Sequence, residues 1–129
     1  MLSKTYTAAV NGLETTTVTV EVNMTRGVQF HMTGLPDTAV KESYDRIRAA
    51  MVNSGFKMPT MDITVNLSPA DIKKEGSGYD LPLAIAIMAA NSKVESEQLD
   101  KYMMVGELSL DGRLQPIRGA LPIAIRARQ

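Results

Sequence analysis

Residues 73–87 read KKEGSGYDLPLAIAI: two lysines, a glutamate, a glycine-rich bend and then an apolar run. The run decides the architecture. From Asp80 to about Ala90 apolar residues cover nearly every side of a helix, so that helix belongs in the core with neighbours all round it. Glycines ahead of such a helix can cradle a phosphate, hold a nucleophile at the helix start, or simply turn the chain. A Walker phosphate loop needs GxxxxGK followed by Ser or Thr. Here Gly76 and Gly78 are followed by Tyr79 and Asp80, and no lysine stands beyond the glycines. A carboxylate at the positive end of a helix also repels phosphate. The pattern argues against a P-loop in this chain and leaves a looser glycine-rich nucleotide site as an alternative. The local reading is that Asp80 caps the helix, its carboxylate accepting from a first-turn amide for about 0.5–2 kcal/mol. Pro82 is then the second helical residue, where a missing amide is tolerated.

Upstream of this stretch the chain reads mainly as strands. Thr and Val alternate in TTTVTVEV, and NGLE is turn chemistry, so residues 4–10 and 15–22 form a hairpin. VQFHMTGL gives a third strand with Val28, Phe30 and Met32 on one face. After Pro36 the period changes. Val40, Tyr44, Ile47 and Met51 fall on one side of a helix, capped by Asp37 and ended at Gly55. Lys41, Glu42, Asp45, Arg46 and Arg48 are assigned to its solvated faces. MDITVNL is a fourth strand with Ile63, Val65 and Leu67 facing inward, and SPADIKKEGSG is a polar loop.

Downstream, SKVESEQLDKY reads as a short surface helix. MMVGELSL and RLQPI flank Asp111-Gly112, a strong hairpin signal. Gly119 opens a last helix, ALPIAIRARQ, which is still in pattern at Gln129. The likeness of LPLAIAI to LPIAIRA is two helices that each begin with Pro in the first turn. Residues 1–129 therefore read as a single domain, the N-terminal piece of a longer protein.

Bulk composition narrows the function classes. A chain of 129 residues supports one domain with a real core. Net charge is zero, so a broad electrostatic footprint for nucleic acid or an anionic membrane is absent. With no cysteine and one histidine, His31, thiolate metal sites are excluded and a zinc site is improbable. The N-terminus lacks the regions of a signal peptide, and the run Leu81 to Ala90 is far short of the roughly 20 residues that span a bilayer. The expectation is a cytoplasmic protein with no membrane partner.

The order of elements resembles the peptidase domain of the Lon type. In that family a serine at the start of the first buried helix attacks the peptide, and a lysine in the second takes its proton. Aligning the buried helices puts Asp80 near the serine position, and aligning GELSLDGRLQPIRG puts Leu121 near the lysine position. Neither side chain can do that work. Ser77 falls three residues early, no lysine follows Lys101, and the Arg118 guanidinium stays protonated. Peptidase chemistry is not expected, nor any other enzyme activity of this domain.

More specific still are TGLPD at 33–37, DRIRAAMVNSGF, ITVNLSPADIKKEG, YDLPLAIAI, VGELSLDG and PIRGALP, in that order. Over essentially the whole chain they resemble the N-terminal domain of the magnesium-chelatase-like AAA+ ATPases, in the ComM (competence) branch. One departure is RGVQF, where a proline is expected between the glycine and the aromatic. The resemblance implies an α+β domain of the Lon-peptidase-like, ribosomal-protein-S-five domain-2-like fold. Five to six strands should carry two to three helices packed on the sheet. It also implies a following AAA+ module that binds ATP and Mg2+, a homo-hexameric ring, and a DNA branch-migration motor active in competence. This domain would itself hold no cofactor. Its implied role is that of a non-catalytic accessory domain, with a protein-interaction module or a residual nucleotide or small-molecule site as alternatives.

Candidate contact residues are few. Lys73, Lys74, Arg113, Arg118, Arg126 and Arg128 are the candidates for a basic, DNA-contacting face. His31 is assigned to strand packing or to a satisfied imidazole ahead of any ligand role, and Asn66, Ser68 and Asp71 to turn-making through their side chains.

Overall fold

The structure, a computed structural model, describes residues 1–12, 14–91 and 97–129. Strands β1 (Leu2–Asn11) and β2 (Glu14–Thr25) form the expected hairpin, in continuous antiparallel register from Leu2↔Asn23 to Asn11↔Glu14. β3 (Phe30–Thr33) follows. Then come a single helical turn, α1 (Thr38–Lys41), the helix α2 (Ser43–Asn53), and β4 (Asp62–Ser68). The core helix α3 spans Asp80–Ala90. A 3-10 turn at Leu99–Lys101, the short strands β5 (Glu107–Leu108) and β6 (Leu114–Gln115), and α4 (Ala120–Arg128) complete the chain. The main sheet has the order β1-β2-β4-β3, antiparallel except for the β3–β4 pair, and β5–β6 is a separate ribbon. The α+β class expected from the sequence is the one that forms.

Alternation along the strands sorts the sheet into two faces. Val18, Val20, Val22 and Met24 on β2 share the inner face with Ile63, Val65 and Leu67 on β4, all at most 3% exposed. α3 lies on this face. β1 presents hydroxyls there instead of aliphatics. Thr5 Oγ1 donates to the Pro82 carbonyl at 2.7 Å, and Ser3 Oγ donates to that of Ala86. Small side chains let the Ala-rich helix approach closely, and the Ser3 and Thr5 hydroxyls each have a carbonyl acceptor that offsets their desolvation.

The outer face is polar. Asn66 bridges strands across it, its Nδ2 donating to Glu21 Oε1 at 3.0 Å and its Oδ1 accepting from Thr33 Oγ1 at 2.9 Å. That is cross-strand pairing and not the turn-making assigned to Asn66. His31 stands exposed on the same strand face as Thr33, outside the packing role expected of it.

The strand expected over VQFHMTGL is shorter than read. Val28 is 79% exposed, while Phe30 and Met32 pack against the core, Phe30 stacked on Tyr44 at 4.0 Å between ring centroids. The helix after Pro36 is broken at Glu42 into α1 and α2, but its inner residues Val40, Ile47 and Met51 are buried as the spacing predicts. Asp37 is its cap, with Oδ1 accepting from the Val40 amide at 2.8 Å. The hairpin around Asp111-Gly112 forms, yet its strands shrink to two residues each. Of the surface helix expected over SKVESEQLDKY, residues 92–96 lie outside the described residues, and the remainder holds only the 3-10 turn. No helix among the described residues is long and apolar enough to cross a membrane.

Candidate interaction site at the start of the core helix

The TGLPD loop and the KKEG loop are bound together. Lys74 N–H donates to the Leu35 carbonyl and Asp37 N–H to the Lys74 carbonyl, both at 2.9 Å. This clamp needs a backbone in the left-handed region: φ is 102° at Gly34 and 57° at Leu35. A Cβ at Gly34 would stand 2.1 Å from the Leu67 carbonyl oxygen, so the position accepts only glycine. The clamp also aims the second Asp37 oxygen, Oδ2, at the Gly76 amide at 3.1 Å.

The α3 start corrects the capping role read for Asp80. Tyr79 occupies the cap position and makes no side-chain cap bond; Asp80 is the first helical residue and Pro82 the third. The first-turn amides are met without a carboxylate. Asp80 N–H donates to Ser77, Leu81 N–H to Gly106 at 3.0 Å, Leu83 N–H to Tyr79, and Pro82 has no amide to satisfy. Asp80 is thereby free for a different task. Its Oδ2 accepts from Arg46 Nε at 2.7 Å and from the Leu108 amide at 3.0 Å, and its Oδ1 accepts from Arg46 Nη2 at 2.9 Å. The carboxylate is fully buried. The hydrogen bonds that Arg46 donates to Asp80 push its guanidinium further up, against the opposing effect of burial. Arg46 is therefore not a solvated helix charge. Its Nη2 also donates to the Ala39 carbonyl at 2.8 Å, so the Arg46–Asp80 pair ties α1, α2, α3 and β5 together. Periodicity sees Arg46 on a polar helix face and Asp80 at a helix start; nothing local pairs two residues 34 positions apart.

Nor does the structure assemble the basic face. Lys74 is wholly buried, its Nζ donating to the Pro69 carbonyl, and burial pushes the ammonium below the usual lysine range. It cannot contact DNA. Arg113 pairs with Asp111 at the exposed hairpin tip, and Arg126 donates to Thr17 Oγ1 at 3.2 Å on the outer sheet face. Arg128 is exposed at the end of α4. Lys73 and Arg118 alone come together. Both line a cleft of about 710 Å³, along with Asp37, Glu75, Gly76–Tyr79, Pro116–Gly119 and residues 7–11 of β1.

No local pattern marks this cleft, because its walls come from several segments far apart in the chain. Its glycine-rich wall does not fit a nucleotide phosphate. The Gly76 amide is committed to Asp37, Lys74 is sealed away, Lys73 pairs with Glu75 at 3.6 Å, and the Asp37 and Glu75 carboxylates repel phosphate. Tyr79 is 4% exposed and its hydroxyl has no hydrogen-bond partner among the described residues. Burial, reinforced by Asp37 and Glu75, pushes that phenol well above its ordinary value. Leu121, which the sequence resemblance sets against a peptidase lysine, is 72% exposed on α4. Among the described residues no group of three His, Cys, Asp or Glu side chains could hold a metal ion.

The buried α3, the clamp made by TGLPD and KKEG, and the Asp80–Arg46 pair use the same motifs that carry the family resemblance. Residues 20–129 match the family described as subunit ChlI of Mg-chelatase, and the chain belongs to it. Among curated relatives it is similar to the uncharacterized protein YifB of Escherichia coli, 46% identical over 98% of this chain and 25% of that protein. It is also similar to the competence protein ComM of Haemophilus influenzae, 41% identical over 99% of this chain and 25% of ComM. The chain thus spans about a quarter of the length of these relatives.

Proposed function

We propose that this chain is the non-catalytic accessory domain of a magnesium-chelatase-like AAA+ ATPase, and that it serves the motor through contacts with protein. The observation that carries this reading is the fate of Asp80. At the core-helix start, where a related peptidase holds its nucleophile, stands a buried carboxylate whose oxygens are taken by Arg46 and the Leu108 amide. Such a group ties elements together and reaches no substrate. The likeness to the competence protein ComM supports a role in competence for the parent protein, and we take that parent to be a DNA-acting ring with ATP and Mg2+ held by a module outside residues 1–129. Dispersal of the six basic candidates, with Lys74 buried, favours protein contacts over DNA contacts for this domain.

The test compares the longer protein with a version lacking residues 1–129. ATP hydrolysis should persist in the truncated protein while ring assembly or strand exchange falls. The isolated chain should leave casein intact and show no thermal shift with millimolar ATP or GTP. Casein cleavage by this domain, or stabilisation by nucleotide, would overturn the non-catalytic reading.

A further inference from the structure

β1 is an edge strand of the main sheet, and the cleft runs along its open side. Five consecutive residues of it, Thr7 to Asn11, line the cleft, which marks an edge and not one face of the pleat. The direction of each backbone group follows from the ladder. Met1 and Met24 exchange bonds in both directions, N–H to carbonyl, so odd-numbered β1 residues face β2. Even-numbered ones face outward, and the Tyr6 carbonyl does so, accepting from the Met104 amide at 2.8 Å. The next outward pair is Ala8 and Val10, where the cleft begins, and no partner for their outward amides and carbonyls occurs among the described residues. Ala8 is 6% exposed, so its outward groups are poorly served by solvent.

At the Val10 end stands Arg118, exposed and without a hydrogen bond or ion pair among the described residues. A Cβ on its neighbour Gly119 would lie 3.5 Å from the Val10 side chain, which fixes Arg118 beside the strand. The two carboxylates of the wall are already engaged, Asp37 by two amides and Glu75 by Lys73. Arg118 is the charged side chain of the cleft wall that has no hydrogen bond or ion pair among the described residues. Tyr79 also lines the cleft, and its hydroxyl has no hydrogen-bond partner among the described residues.

We infer that this cleft binds an extended peptide segment carrying an acidic residue. The segment adds to the sheet at Ala8 and Val10 and places its carboxylate on Arg118. Outward donors and acceptors two residues apart repeat at about 7 Å, a spacing that another β-strand matches and a compact small molecule does not. This rests on the protein-contact reading above and names the chemistry of the contact.

The probe is the N-acetylated, C-amidated peptide Glu-Thr-Val-Thr-Val-Thr-Glu, with Lys at both ends as the control, titrated to millimolar into the 15N-labelled 129-residue chain. Main-chain pairing should shift the Ala8 and Val10 amides and slow their exchange, because most of the recognition is through the backbone. Arg118→Ala should weaken the acidic peptide about fivefold, the worth of one partly exposed ion pair, and leave the Lys-ended peptide unchanged. Ala8→Pro removes an outward amide without breaking the β2 ladder, so it should abolish binding in a chain that still folds. Shifts confined to other surfaces, equal response to inorganic phosphate, or no shift at Ala8 and Val10 would overturn the proposal. Cleavage of a bound peptide would support the cleft while sinking the non-catalytic reading, so the two failures are distinguishable.

Discussion

The Arg46 guanidinium grips the Asp80 carboxylate with two hydrogen bonds, Nε to Oδ2 at 2.7 Å and Nη2 to Oδ1 at 2.9 Å. The fork geometry of arginine matches a carboxylate, and such bidentate pairs are the strong ones. The carboxylate is fully buried and the arginine side chain is 20% exposed. Two helices and the first strand of the hairpin ribbon meet on this pair, because Oδ2 also accepts from Leu108.

Removing one partner strands the other. Asp80→Ala should destabilise the chain by about 3–5 kcal/mol in urea unfolding, the usual cost of breaking a buried pair. The double variant Arg46→Ala with Asp80→Ala should cost less than the sum of the single changes, because the two residues act as a unit. Simple additivity would show that the pair is not coupled.

Lys74 tests the burial of a residue that reads as surface charge. Its folded-state pKa lies below the ordinary 10.5, so the unfolded chain holds that proton to higher pH. Stability from this group therefore rises with pH across the window that ends near 10.5. Lys74→Met should flatten that rise and change stability at neutral pH by less than about 1.5 kcal/mol, one hydrogen bond being exchanged for an apolar group of similar shape. Thermal melts at several pH values check both points.

Tyr79 should show the opposite sign. Its phenol is pushed above the ordinary value of 10, so its contribution is fully present below pH 10 and is lost as the pH climbs toward the folded value. Tyr79→Phe removes a buried hydroxyl that has no partner among the described residues, and should stabilise the chain by about 1 kcal/mol near neutrality. It should also reduce the alkaline loss. Marked destabilisation by Tyr79→Phe would instead reveal an acceptor for that hydroxyl.

Gly34 holds the clamp. Gly34→Ala sets a Cβ against the Leu67 carbonyl at a φ of 102°, so about 2–4 kcal/mol should be lost to strain and displacement. Gly55→Ala is the control: its φ is 87°, but no atom lies within 4 Å, so it should lose only about 1–2 kcal/mol of backbone strain. Equal losses in a denaturant comparison would mean that close packing at Leu67 contributes nothing.

The sequence by itself determined the elements whose signal is local and repeated. TTTVTVEV alternates, LPLAIAI is apolar all round, and Asp37 and Gly55 stand where a helix begins and ends, so the hairpin, core helix and caps were legible. Val28 and most residues beside Asp111-Gly112 lie outside the strands that form, since a β-rich pattern does not show where pairing stops. The specific motifs carried the family, and residues 20–129 match it. Only the tertiary structure decided what KKEGSGYD does. Lys74 looks like a surface charge and Asp80 like a cap because each is judged against its own neighbours. Three-dimensional packing buries the lysine behind the TGLPD loop and sets the aspartate against Arg46. Contacts between distant segments depend on how elements are brought together, which no local periodicity encodes.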